Sequence, residues 1–135
     1  MKTPKEIFDL MYNNDPFSKL LGIQLIEIAE GQCKLAMKVT KNMLNGFGIA
    51  HGGITYSLAD SALAFASNSR GIQSVSIETS INHLSKVMEG DTLTATSEEK
   101  NLTGRTALYL ININNQNNQA VALFKGIVFR TGKEW

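Results

Sequence analysis

Asn45-Gly46-Phe47-Gly48-Ile49-Ala50-His51-Gly52-Gly53, followed by Ile54-Thr55-Tyr56-Ser57-Leu58-Ala59-Asp60-Ser61-Ala62-Leu63-Ala64-Phe65-Ala66, is the stretch on which the reading of this chain turns. Its first part is a glycine-rich loop. Its second is an apolar, alanine-rich segment interrupted by one carboxylate, Asp60. Glycines ahead of a helix let the backbone approach another group closely, and the first helical amides have no intrahelical partner. The helix dipole adds to the preference of those amides for negative charge. An ionisable group further along, among small apolar neighbours, is a candidate acid or base with a displaced pKa. The stretch then reads as the active helix of a small enzyme. In the other reading, Asp60 caps a helix that starts at Ser61.

Working outward from it, the flanks carry a different period. Upstream, Ile7, Phe8 and Met11 share one helical face, and Asn13-Asn14-Asp15-Pro16 ends that short helix. Leu21 to Ile28 suits a strand, Ala29-Glu30-Gly31 a turn, and Cys33, Leu35, Met37 and Val39 alternate with polar or small residues as a second strand. Downstream, Val75, Ile77, Thr79 and Ile81 alternate with Ser74, Ser76, Glu78 and Ser80. Glu89-Gly90-Asp91 forms a turn, and strands follow over Thr92 to Glu99, Arg105 to Ile113 and Ala120 to Arg130. Helix, two strands, one long helix and four strands predict an α+β fold with an antiparallel sheet.

Composition sets limits. At 135 residues with no Pro/Gly/Ser-rich linker, the expectation is one domain over residues 1–135. A chain 43% hydrophobic and 19% charged buries a real core. Its formal charge of +1 gives no reason to expect nucleic acid or an acidic membrane surface. No apolar run reaches a membrane span and the first residues lack a signal peptide's apolar core, so no membrane association is expected. The single Cys33 excludes an internal disulfide and points to a reducing cytoplasm. Two histidines and one cysteine, far apart, make no zinc or iron set.

The order of elements, together with Asn45, Gly48, His51-Gly52-Gly53, Leu58-Ala59-Asp60 and the later Glu89-Gly90-Asp91, resembles the hotdog-fold acyl-CoA thioesterases. The branch it is most similar to holds the phenylacetate-pathway thioesterases of the PaaI type. The shared core reads His-Gly-Gly-x6-Asp, with an asparagine six residues before the histidine, and the likeness runs from about Phe17 to Arg130. The resemblance implies a sheet of about six antiparallel strands wrapped around one long helix, with a short helix at the N-terminus. It implies an acyl-CoA substrate, no cofactor beyond the CoA carried by that substrate, a homodimer joined edge to edge, and a dimer of dimers.

By position, the resemblance puts the oxyanion-hole amide on Gly52, the catalytic carboxylate on Asp60, an asparagine near the thioester on Asn45 and the family's histidine on His51. Ser76 falls where some relatives hold the attacking water. Gly53, Tyr56, His83 and Lys86 complete the expected substrate contacts, with Tyr56 placed nearest the substrate. Many PaaI-type sequences have an aromatic and an Arg-Pro where this chain reads Asn82-His83-Leu84-Ser85-Lys86, which leaves the acyl group open between aromatic and medium-length.

Gly52 and Asp60 stand eight positions apart, which on a helix is roughly 12 Å along the axis. Reacting groups must converge within about 3–3.5 Å. The two therefore serve one site only if they come from two copies of the helix related by a two-fold axis. Plainer roles stand beside these assignments: His51 as a hydrogen-bonding loop residue, Asn45 as a turn former with Gly46, Ser76 as a sheet serine. Cys33 reads as core packing. A hotdog hydratase or dehydratase and a non-enzymatic acyl-CoA-binding regulator are the competing functions.

Overall fold

A computed structural model describes residues 1–135. The elements are α1 (Pro4–Asn13), α2 (Pro16–Leu20), β1 (Gln24–Ala29), β2 (Gln32–Lys38), a short 3-10 turn (Lys41–Met43), α3 (Gly52–Asn68), β3 (Ile72–His83), β4 (Thr92–Leu102), β5 (Thr106–Asn114) and β6 (Ala120–Glu134). The strands form one sheet in the order β1-β2-β4-β5-β6-β3, with every neighbouring pair antiparallel. This sheet curls around α3, the hotdog arrangement that the resemblance implies.

The N-terminal helix starts at a reciprocal cap. Thr3 Oγ1 accepts from the Glu6 N–H at 3.2 Å, and Glu6 Oε2 accepts from the Thr3 N–H at 3.0 Å. Its apolar face buries Ile7 and Phe8, and the Phe8 ring meets Phe65 of α3 edge-on at 4.7 Å. The expected strand from Leu21 begins later, at Gln24. Asp15-Pro16 is a cap followed by a first-position proline: Asp15 Oδ1 accepts from the Ser18 N–H at 2.9 Å. The short helix α2 results, and Gly22 at φ +70° turns the chain out of it.

Alternation then holds as expected. Cys33, Leu35, Met37 and Val39 are buried, as are Tyr109, Ile111 and Ile113 of β5 and Phe124 and Val128 of β6. Against this inner face lie Leu58, Ala59, Ala62, Leu63, Phe65 and Ala66 of α3. The alanines let the helix sit close, and Gly126 makes room for it. A methyl group at Gly126 would stand 2.5 Å from Leu63 Cδ2. Each fully buried Leu or Phe contributes about 1.5–3 kcal/mol. No helix is long and apolar enough to cross a membrane.

Candidate active site

The N-terminus of α3 is built by the glycine-rich loop. An isolated bridge joins Leu44 to Ala50, the Asn45 N–H donates to Ile49 O at 2.8 Å, and Gly48 at φ +75° closes the turn. Asn45 Oδ1 accepts from the Phe47 N–H at 2.9 Å, so the side chain shapes the loop, while its NH2 group has no partner in the chain. His51 is the N-cap. Its Nδ1 accepts from the Gly53 N–H at 2.9 Å and its carbonyl from the Ile54 N–H at 2.9 Å. An accepting Nδ1 leaves the ring proton on Nε2. The Gly52 N–H, between these satisfied groups, has no partner in the chain.

The expected site residues fall into three separate cavities. Gly52 and Asn45 line the first with Thr55, His83 and Lys86. Asp60 and Ser76 line the second, with Met11, Leu63, Ser67 and Ser74 around them. His51 and Gly53 face the third, beside Phe17 and Met43. Tyr56 is tied elsewhere. Its hydroxyl shares a 2.6 Å hydrogen bond with Thr79 Oγ1, and its ring meets Phe124 edge-on at 5.4 Å, so it fastens α3 to β3 and β6.

Asp60 sits in mid-helix, since α3 runs unbroken from Gly52 to Asn68; it caps nothing. The side chain is half-buried and makes no hydrogen bond or ion pair in the chain. Burial pushes its carboxyl above the ordinary 3.8. A carboxylate without donors, in a partly dry cavity, is a stronger base than one in water. Cys33 is different: burial drives its thiol up to about 12, so no thiolate forms near neutral pH. No three His, Cys, Asp or Glu side chains converge as metal ligands.

The family model for the thioesterase superfamily matches residues 47–122, from the loop tip to the start of β6. The chain belongs to the thioesterase superfamily. As a member it is a thioester hydrolase. The acyl-coenzyme A thioesterase PaaI of Escherichia coli is 44% identical over 122 residues, covering 90% of this chain and 87% of that protein. A solved structure of the E. coli PaaI protein, from its phenylacetic acid degradation operon, superposes with a TM-score of 0.95 at 41% identity, covering 97% of this chain and 95% of that one. A Streptococcus mutans protein solved bound to acetyl CoA superposes with a TM-score of 0.81 at 29% identity, covering 84% and 91%.

Two features of this thioesterase carry no signal in its sequence. Asn68, at the end of α3, donates from Nδ2 to Ala64 O (2.8 Å) and Ser74 O (3.0 Å). Its Oδ1 accepts from the Ser74 N–H (2.8 Å) and the Trp135 Nε1–H (2.9 Å). The start of β3 is thereby bound to the helix that carries Asp60, which brings Ser76 to the Asp60 cavity. Read along the chain, Asn68 is an ordinary helix-stop residue. The second feature is at the same end of α3, where Arg70 grips Glu99 through two bonds (3.1 and 2.8 Å) and Tyr109 donates to Glu99 Oε2 at 2.7 Å. Burial alone would raise the Glu99 carboxyl, but these bonds outweigh it and hold it below the usual range.

Proposed function

We propose that this thioesterase hydrolyses an acyl-CoA to the free acid and CoA at a site shared between two subunits. The observation that carries the proposal is the split of one helix between two cavities. The unpartnered Gly52 N–H lies in one, and the unpartnered, half-buried Asp60 in the other. Neither cavity alone holds both the Gly52 N–H and the Asp60 carboxylate. A two-fold axis that sets two antiparallel copies of α3 side by side brings Gly52 of one subunit to Asp60 of the other, twice. The edge strand β3 offers the means. Its ladder is filled on one side by β6, and Val75 and Ile77 are 57% and 61% exposed along it. Such an edge is a template for pairing with a second strand. A dimer of dimers, as the family resemblance implies, repeats this unit.

In this site the thioester oxygen accepts from the Gly52 N–H, with the Asn45 NH2 beside it. Ser76 holds water against Asp60. As Asp60 takes its proton, the water oxygen bonds to the acyl carbon and the oxyanion forms at the helix N-terminus. Collapse breaks the carbon–sulfur bond, and the thiolate takes the proton from Asp60. Ser76 beside the carboxylate favours this base-catalysed route over direct attack by Asp60. The acyl group fits the Asp60 cavity, whose Met11, Leu63 and Val128 walls suit an aromatic or medium-length chain. The CoA arm runs past Gly53 and Lys86. The name of the E. coli relative and the acetyl CoA bound to the S. mutans protein support the choice of CoA ester. The match to the thioesterase superfamily model favours hydrolysis over a hydratase reading.

The test is thiol release from a panel of acyl-CoAs, read with a chromogenic thiol reagent, on wild type and Asp60→Asn. The variant keeps the side-chain shape and loses the basic oxygen, so turnover is expected to fall ~10²–10⁴-fold with acyl-CoA binding retained. Wild-type turnover by Asp60→Asn would remove Asp60 from the mechanism. Binding without turnover in both proteins would favour a regulator.

A further inference from the structure

We propose that His83 is a further hydrogen-bond donor to the thioester carbonyl, acting beside the Gly52 N–H; this rests on the thioesterase reading of the site. His83 is the last residue of β3 and pairs with the buried Ala122 of β6, so it points to the side of the sheet that holds α3. There the imidazole leans on the first residue of the helix. A methyl group added to Gly52 would come within 3.1 Å of His83 Nε2 and 3.3 Å of Cε1, so the ring meets Gly52 through its Nε2 edge. His83, Gly52 and Asn45 line the same cavity. Unlike His51, whose Nδ1 is occupied by Gly53, the His83 ring makes no hydrogen bond or ion pair in the chain.

The geometry allows both groups to reach one oxygen. In any residue the Cβ position lies about 2.5 Å from its own nitrogen, from bonds of ~1.5 Å at a tetrahedral angle. With Nε2 at 3.1 Å from that position, the Gly52 nitrogen and Nε2 are at most about 5.6 Å apart. Two donors on the lone pairs of one carbonyl oxygen, each about 2.9 Å from it and roughly 120° apart, stand ~5 Å from one another. That limit is compatible with one carbonyl oxygen accepting from both the Gly52 N–H and an Nε2–H of His83. Both donors gain strength as charge develops on that oxygen. Any other residue at position 52 would push a side chain into the imidazole, so glycine there admits the His83 ring as well as the substrate.

The experiment compares His83→Phe, which keeps a ring and removes the donor, with His83→Gln, which keeps a donor of similar reach. Steady-state hydrolysis of the best acyl-CoA is measured alongside wild type and Asp60→Asn, with thermal melts to confirm folding. Loss of one preorganised oxyanion donor lowers kcat by up to ~10²–10³-fold. For a ring at the open rim of the cavity, the expected fall in His83→Phe is about tenfold, with KM within about twofold and most of kcat retained in His83→Gln. Wild-type kcat in a folded His83→Phe protein would overturn the proposal. So would a loss confined to KM, which marks a contact to the CoA arm only. Equal losses in Phe and Gln would also overturn it, by assigning the effect to ring shape. A wild-type protein silent on every acyl-CoA would instead overturn the hydrolase reading, and the His83 role with it.

Discussion

Co-expression of two differently disabled chains tests the shared site most sharply. The first is Asp60→Asn. The second is Gly52→Pro, and the structure indicates that proline is tolerated there. Gly52 is the first residue of α3, a position proline favours, and its N–H bonds nothing in the chain. His51 before it has φ −62° and ψ 136°, within the extended range that a residue preceding proline adopts. The one crowded contact is the His83 ring, 3.1 Å from the new Cβ, and that exposed imidazole moves aside by a few tenths of an ångström. The substitution thus removes the Gly52 amide and shifts the His83 ring of the same half-site, and loss of the amide alone costs about 2.7–4 kcal/mol of transition-state stabilisation, or ~10²–10³ in kcat. Each homodimer is then nearly dead. In a heterodimer, one site carries both lesions and the other neither. Random pairing makes half of the dimers mixed, so about a quarter of wild-type thioester hydrolysis returns. Subunit exchange is confirmed by native mass. Activity no higher than the mean of the two parents, with mixed dimers present, would refute a site built from two subunits.

Asp60 also makes a stability prediction. Burial raises its native pKa above the 3.8 of a free aspartate, so the folded state holds this proton more tightly than the unfolded chain. Stability falls as pH rises from 3.8 through the native pKa. Asp60→Asn is therefore expected to melt at a higher temperature than wild type at about pH 7, with the gap closing below about pH 4; an unchanged melt at both would refute the strain. Wild-type kcat should fall over the same window as the base is protonated. Asn68→Ala strands the Ser74 N–H and Trp135 Nε1–H, costing about 1–3 kcal/mol in denaturant unfolding, and lowers kcat by loosening Ser76 from Asp60. Cys33, with its thiol held up to about 12 and buried, should not react with the chromogenic thiol reagent until the protein unfolds.

What the chain determines on its own is local. Glycines before an alanine-rich run mark the start of α3, and alternation over Cys33 to Val39 marks β2, because helix termini and strand faces are set by neighbours a few residues apart. Asn13-Asn14-Asp15-Pro16 reads in sequence as the end of α1 alone, whereas in the structure Asp15 also caps the short α2, too brief at five residues to show a period of its own. The length of a helical turn even separated Gly52 from Asp60 before any fold was known. The meetings between elements needed the tertiary structure. β3 follows α3 in the chain but lies at the far edge of the sheet beyond β6, and its register slips twice, between Ile72 and Ser74 and between Ser76 and Glu78. Those slips and the Asn68 clamp decide that Ser76 lines the Asp60 cavity while His83, at the other end of the same strand, lines the Gly52 cavity. An alternating pattern is the same whichever strand it pairs with, so partner and register come only from packing the whole sheet around one helix.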